Sequence, residues 1–75
     1  MNDYGVEMMQ VDSSSVDSLG YDEEQQQLYV RFVSGDLYLY KGVGVMEFEG
    51  LRDAPSIGAY LNRSIKGTYP YEKIG

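Results

Sequence analysis

Residues 27–43 read QLYVRFVSGDLYLYKGV, and this stretch decides the fold. It holds two short apolar runs, rich in β-branched and aromatic side chains, on either side of a Ser34-Gly35-Asp36 turn signal. Such runs around a glycine-containing turn are typical of a β-hairpin. The stretch therefore predicts two antiparallel strands, over residues 28–33 and 37–43.

The register of this hairpin determines which side chains share a face of the sheet. A three-residue loop over 34–36 pairs Phe32 with Tyr38. It also pairs Val30 with Tyr40, whereas a two-residue loop would move both tyrosines to the opposite face. We favour the three-residue loop because it builds one continuous aromatic and aliphatic face.

Apolar periodicity around the hairpin predicts the other elements of a small α+β domain. Residues 16–21 alternate like a short strand, and apolar residues then recur every three positions over 45–54, which indicates a short helix. A second, amphipathic helix is predicted over 56–66. Either 68–74 or 8–11 adds an edge strand. We predict a small antiparallel β-sheet of three to four strands with both helices packed on one face.

The length of the chain, 75 residues, corresponds to one domain with a thin core. A domain of this size buries only about 60% of the surface that its unfolded chain exposes. Residues 1–7 show no clear period and are predicted to form a flexible N-terminal tail. The single domain is then expected to span residues 8–75.

Composition excludes several classes of function. The chain has no cysteine and no histidine, so it can form neither disulfides nor thiolate or imidazole metal sites, and we expect no metal and no cofactor. No apolar run reaches the roughly 18 residues of a membrane span, and no signal peptide is visible. A soluble cytoplasmic protein without membrane contact is expected, in the host cytoplasm if the gene is phage-encoded.

Charge is unevenly distributed along the chain. The net charge is −6, and residues 1–24 carry seven acidic side chains and no basic one. This balance disfavours non-specific binding to nucleic acid or anionic membranes. Residues 56–75 are instead locally cationic, with Arg63, Lys66 and Lys73 against Glu72.

Candidate ligand-binding residues lie on the cationic second helix. Asn62, Arg63 and Lys66 share one polar face and, with Tyr69 nearby in sequence, could contact phosphate and stack on a base. A solvated helix face is the simpler alternative. Ser56 is predicted to cap this helix.

Two further candidates also have a simpler alternative. Gly58 would let an anion approach the free amides at the helix start, or would let the helix lie close against the sheet. Tyr38 and Tyr40 could form a stacking platform for bases, although packing beneath the helices is favoured. Tyr29 is out of phase with that pair and is the ring predicted to be exposed.

Catalysis is not expected. Serines are frequent, but no histidine is present to activate one, and the chain has no phosphate-loop, dinucleotide or metal-ligand spacing. The acidic turn over residues 22–26 lacks the spacing of a calcium loop. We therefore expect a non-enzymatic protein.

Five short motifs occur in order along the chain: Ser13-Ser14, Gly20-Tyr21-Asp22, Tyr38-x-Tyr40, Ser56-x-Gly58-x-Tyr60-x-Asn62 and Ile65-Lys66. Together they resemble the KTSC domain, over roughly residues 11–74. This short domain occurs alone in bacterial and phage proteins and at the C-terminus of some lysyl-tRNA synthetases. This chain differs from the usual KTSC pattern at three positions. Gly44 stands where proline is usual, Glu47 where an apolar residue is usual, and Thr68 where a basic residue is common.

The resemblance implies a small binding module for RNA or a nucleotide. The alternative, favoured by net charge, is a protein-interaction module, such as a phage or bacterial accessory or inhibitor protein, that docks through its acidic N-terminal half. The oligomeric state is left open between a monomer and a homodimer formed through the apolar central strand.

Overall fold

The structure, a computed structural model, describes residues 5–75. These residues form a five-stranded antiparallel sheet whose strands lie side by side in chain order. Helices connect the fourth strand to the fifth and pack on one face of the sheet. The elements are β1 (Met9–Gln10), β2 (Val16–Asp22), β3 (Gln27–Phe32), β4 (Leu37–Lys41), α1 (Val45–Arg52), α2 (Ile57–Tyr60), a π-helical turn (Leu61–Ile65) and β5 (Tyr71–Lys73).

The small α+β fold predicted from the sequence is confirmed, with one strand more than expected. Both segments considered for an edge strand form one, β1 on one side of the sheet and β5 on the other. The first helix ends at Arg52 and not at residue 54. The second predicted helix, over residues 56–66, forms α2 followed directly by the π turn, where a regular helix was expected. We call α2 and the π turn together the second helix. No helix within residues 5–75 has the length and apolar character needed to cross a membrane.

The main core lies between the sheet and the helices. The second helix contributes Leu61 and Ile65, which are 1% and 0% exposed, and the sheet contributes mainly aliphatic side chains of β2 and β3. Partly buried aromatic rings surround this centre. Its buried members are Val16, Leu19, Leu28, Val30, Tyr40, Val43, Leu51, Ile57, Leu61 and Ile65.

The hairpin loop has three residues, as predicted, but it spans residues 33–35 and not 34–36. The N–H of Phe32 donates to the carbonyl of Asp36 over 2.9 Å and closes the loop. Gly35 has a φ of +100°. The last position of a common three-residue hairpin loop takes this left-handed conformation, which glycine adopts without steric cost.

The predicted strand pairs are therefore wrong by two residues. Tyr38 lies opposite Val30 and not Phe32, and Tyr40 lies opposite Leu28 and not Val30. A shift of two preserves the face on which each side chain lies, because side chains alternate with a period of two. The continuous aromatic and aliphatic face is thus the one expected.

The N-terminal segment, residues 5–8, covers the opposite face of the sheet. Val6 is 6% exposed and packs in a second cluster with Tyr29 and Leu37. Tyr29 is also 6% exposed, so the prediction that its ring is exposed is wrong. For the predicted tail over residues 1–7, residues 1–4 lie outside the described part of the chain.

Residues 6–8 of the N-terminal segment lie close against Gly20 of β2. A Cβ atom at Gly20 would lie 2.5 Å from the sulfur of Met8 and 2.7 Å from Cγ1 of Val6. It would also lie 3.3 Å from the carbonyl oxygen of Glu7. The absence of a side chain at Gly20 is therefore what lets the segment lie flat on the sheet.

Replacing Gly20 by alanine is expected to lower the free energy of unfolding by about 1–2 kcal/mol, because the new methyl group overpacks this contact. The cost is limited because residues 5–8 can detach. Urea denaturation measures the loss, and amide hydrogen exchange reports the detachment. Gly44→Ser is the matched control, since nothing lies within 4 Å of a Cβ atom there. Equal exchange in the two variants would contradict the prediction.

Candidate functional site

A groove of about 570 Å³ opens over the face formed by β4 and β5. Tyr38 and Tyr40 project from β4, and Tyr71 on β5 lies directly opposite Tyr40. The chain after the π turn forms the other wall. We call this the aromatic groove; its lining residues are Phe32, Asp36, Tyr38, Tyr40, Lys66, Gly67 and Tyr71.

The rings of the aromatic groove contact one another at ordinary aromatic distances. The ring centroid of Tyr71 lies 5.7 Å from that of Tyr38 and 5.8 Å from that of Tyr40. Phe32 meets Tyr38 edge-on, at 5.4 Å and 90°. Tyr40 is 2% exposed and forms the floor, where burial raises the pKa of its phenol and keeps it neutral. Tyr71 is 62% exposed and can offer its ring to a ligand.

Cationic side chains surround the rings. The Nζ atom of Lys66 lies 5.1 Å from the centroid of the Phe32 ring, a cation–π distance. Lys73 lies opposite Tyr38 and pairs with Asp36 over 3.5 Å. Within residues 5–75, no carboxylate lies within 4.0 Å of the charged groups of Lys66 or Arg63. Their charges remain available to an anion.

The π turn places Lys66 in the groove. Its N–H donates to the carbonyl of Leu61 over 2.8 Å, which widens the last turn of the helix. Lys66 itself is extended, with φ −65° and ψ 132°, so the chain leaves the helix at this residue. Ile65 is fully buried and anchors the turn in the core.

The eight candidate residues predicted from the sequence do not form one cluster. Tyr38, Tyr40 and Lys66 come together in the aromatic groove. Ser56 and Arg63 line a separate hollow at the start of α2. The hydroxyl of Ser56 accepts the N–H of Ala59 over 3.2 Å, as the capping prediction requires.

The other three candidates lie outside both cavities. A Cβ atom at Gly58 would lie 2.7 Å from Oγ of Ser15, so this glycine allows close packing of the helix on the loop before β2. Asn62 is exposed on the helix surface. Tyr69 is half-buried and donates its hydroxyl proton to Oε1 of Glu47 over 3.1 Å.

Among the aromatic residues that line the groove, the sequence candidates do not include Phe32 and Tyr71. The hairpin alternation places Phe32 on the packed face of the sheet, and Tyr71 falls within the segment 68–74 that is predicted as an edge strand. The signal for Tyr71 is its register with Tyr40, which becomes visible once β5 is paired with β4.

Comparison with known proteins places the fold in a family. Residues 12–69 match the sequence profile of the KTSC domain. The chain belongs to the KTSC domain family. This KTSC domain shares its fold with a crystal structure of a KTSC domain protein from Yersinia pestis, with a TM-score of 0.91 and 31% identity. That match covers 95% of this chain and 100% of the Yersinia chain.

Relatives of this KTSC domain include a short protein and a much longer enzyme. An uncharacterised protein of Stutzerimonas stutzeri is 46% identical over 63 residues, which are 83% of this chain and 89% of the relative. A lysine–tRNA ligase of Nostoc punctiforme is 31% identical over 67 residues, which are 89% of this chain. The match spans 12% of that ligase, so the KTSC domain corresponds to a small part of it.

Glu47 connects three parts of the KTSC domain through hydrogen bonds. Its carboxylate on α1 accepts the hydroxyl protons of Tyr60 on α2 and of Tyr69 after the π turn. Nearby, the Tyr21 ring stacks on Phe48 with 4.6 Å between centroids. Within residues 5–75, no three acidic side chains are arranged to hold a metal ion.

The KTSC domain is expected to lose stability above about pH 10. The hydrogen bond to Glu47 raises the pKa of Tyr60, and burial followed by the same carboxylate raises the pKa of Tyr69. In the unfolded chain both phenols ionise near the ordinary value of 10.0, while the folded state keeps them protonated. Their stabilising contribution is therefore complete below pH 10 and is lost as the pH rises through the folded pKa values.

Denaturation midpoints measured from pH 8 to pH 12 test this expectation. Glu47→Gln should make stability fall less steeply with pH, because the negative charge that disfavours ionised Tyr60 is removed. Glu49→Gln on the same helix is the control, because its side chain is exposed and makes no ion pair within the described chain. A steeper fall in the Glu47 variant would contradict the assignment.

Proposed function

We propose that the KTSC domain binds single-stranded RNA in the aromatic groove. The observation that carries the proposal is the exposed Tyr71 ring beside Tyr38, with the ammonium group of Lys66 across the groove. A base stacked on an aromatic side chain contributes about 1–3 kcal/mol to binding. An ammonium group at the rim is suited to the phosphate that accompanies each base.

The shape of the groove favours an unpaired base over a duplex. Its volume of about 570 Å³ lies in the range of small-molecule sites, which is roughly 300–1,000 Å³. A base enclosed in a double helix is already stacked on both sides and cannot contact a tyrosine ring. Sequence-specific contacts to RNA are mostly made with single-stranded loops and ends for this reason.

The charge of the domain also favours a single strand. Duplex binding depends on many phosphate contacts, whereas Lys66 is the basic residue that lines this groove and the nearby Lys73 is paired with Asp36, in a protein with a net charge of −6. Stacking must therefore supply most of the affinity. For single strands each phosphate contact adds about −0.7 to the slope of log K against log salt. We expect a shallow slope, of about −1 to −2.

The relatives of the domain supply independent support. The lysine–tRNA ligases of Nostoc punctiforme, Nostoc sp. and Trichormus variabilis each contain a segment similar to this domain. By their names these enzymes act on an RNA. A domain that stacks on an unpaired base would give such an enzyme an additional contact to its RNA.

Titration of the isotope-labelled domain with short oligoadenylate and oligouridylate tests the proposal. Amide resonances of Phe32, Tyr38, Lys66 and Tyr71 should shift, and the shifts should weaken moderately with salt. Adenosine monophosphate and a hairpin duplex of matched length are the comparison ligands. Equal affinity for the mononucleotide would identify a nucleotide site, and the absence of shifts with every ligand would overturn the proposal.

A further inference from the structure

A second groove, of about 450 Å³, lies between α1 and the edge of the sheet formed by β1 and β2. Tyr21 and Phe48 contribute apolar surface above the buried Leu19, with Met9 and Val45 beside them. Three glutamates, Glu7, Glu23 and Glu49, also line it. We call it the acidic groove. It shares no lining residue with the aromatic groove.

The apolar part of the acidic groove is held by side-chain contacts and is accessible. Tyr21 and Phe48 stack with their ring planes 5° apart, and the hydroxyl of Tyr21 donates to the carbonyl of Val43 over 2.5 Å. Met9 and Val45 are 39% and 36% exposed, so both are open to a partner. Aromatic side chains and methionine are enriched at protein interfaces.

The charge of the acidic groove determines what can occupy it. Glu7, Glu23 and Glu49 are exposed, and no cation within residues 5–75 lies within 4.0 Å of their carboxylates. Arg52, the cationic residue in the lining, is bound to Asp53 at 3.0 Å and lies over the Phe48 ring at 5.8 Å. The unpaired charge of the groove is therefore negative.

We propose that the acidic groove binds a basic amphipathic segment of a partner protein. An apolar side chain of the segment contacts Tyr21, Phe48 and Val45, and its lysine or arginine residues lie against the three glutamates. The negative charge of these three glutamates, which form the rim of the groove, repels RNA and anionic lipid. It favours a cationic partner by electrostatic complementarity. This proposal does not depend on RNA binding in the aromatic groove.

A fluorescent synthetic peptide of lysine and leucine, with leucines at helical spacing, serves as the probe. We compare two triple variants of the protein that each remove three negative charges. Glu7→Gln, Glu23→Gln and Glu49→Gln change the rim, while Asp12→Asn, Asp17→Asn and Glu72→Gln change exposed carboxylates elsewhere. The rim variant should bind roughly tenfold more weakly than the control variant, as three exposed ion pairs would give. Equal binding would overturn the proposal.

A second pair of variants tests the apolar surface at constant charge. The double variant Met9→Ser and Val45→Ser should weaken binding several-fold. The double variant Val33→Ser and Met46→Ser is the control, because it changes exposed apolar residues outside the groove. A peptide of the same composition with scrambled leucines should bind more weakly to the wild-type protein. Equal effects of the two pairs, or peptide-induced amide shifts confined to the aromatic groove, would overturn the proposal.

Discussion

Replacing Leu61 by alanine is expected to lower the free energy of unfolding of the KTSC domain by about 2–5 kcal/mol. Leu61 is 1% exposed and belongs to the core between the second helix and the sheet. At about 0.05–0.15 kcal/mol per residue, a domain of this length has a total stability of roughly 4–11 kcal/mol. The substitution therefore removes a large part of it.

Urea denaturation followed by circular dichroism measures this loss. Asn62→Ala is the matched control, because the next residue on the same turn is exposed and its truncation should change stability by about 0.5 kcal/mol or less. The carbonyl of Leu61 also accepts the N–H of Lys66, so loosening of this turn should be visible as faster amide exchange at Lys66. Equal stability of the two variants would show that the helix is not anchored through Leu61.

The hairpin shows how far local sequence determines the fold. Alternation and a turn signal correctly predicted two strands, a three-residue loop and the aromatic face. They did not locate the loop, because Ser34, Gly35 and Asp36 all favour turns. The deciding signal was conformational: Gly35 takes the left-handed position at the end of the loop, which places the loop at 33–35.

Contacts between distant segments could not be predicted in the same way. Tyr29 was expected to be exposed because periodicity describes a strand and not what covers it, and residues 5–8 cover it. Tyr71 enters the aromatic groove because β5 pairs with β4 in one particular register. The short sequence of β5 contains no signal that selects this register.

The π turn explains why the candidate residues of the second helix separate. On a regular helix, Asn62 and Lys66 are four residues apart and share a face, and the prediction of one polar face assumes this geometry. The hydrogen bond from Lys66 to Leu61 spans five residues and breaks this regularity. Lys66 consequently lines the aromatic groove, whereas Asn62 does not.

Replacing Tyr71 by alanine is expected to weaken binding of oligouridylate by about 1–3 kcal/mol, a roughly 5- to 150-fold higher Kd. The ring is 62% exposed and lies on a three-residue edge strand, so its removal should leave the fold intact. The loss follows from removal of the ring face on which a base stacks. Fluorescence anisotropy with a labelled oligouridylate measures the Kd, and thermal denaturation checks that the variant is folded.

Tyr71→Phe and Met46→Ala separate stacking from other effects of this substitution. Phenylalanine keeps the ring and loses only the hydroxyl, so Tyr71→Phe should retain nearly all of the affinity. Met46 is 82% exposed and outside the aromatic groove, so its truncation controls for the loss of exposed apolar surface. Binding by Tyr71→Ala at wild-type affinity would exclude Tyr71 as the stacking residue. An equal loss in Tyr71→Phe would instead assign the binding energy to the hydroxyl, because a phenyl ring stacks on a base as a phenol does.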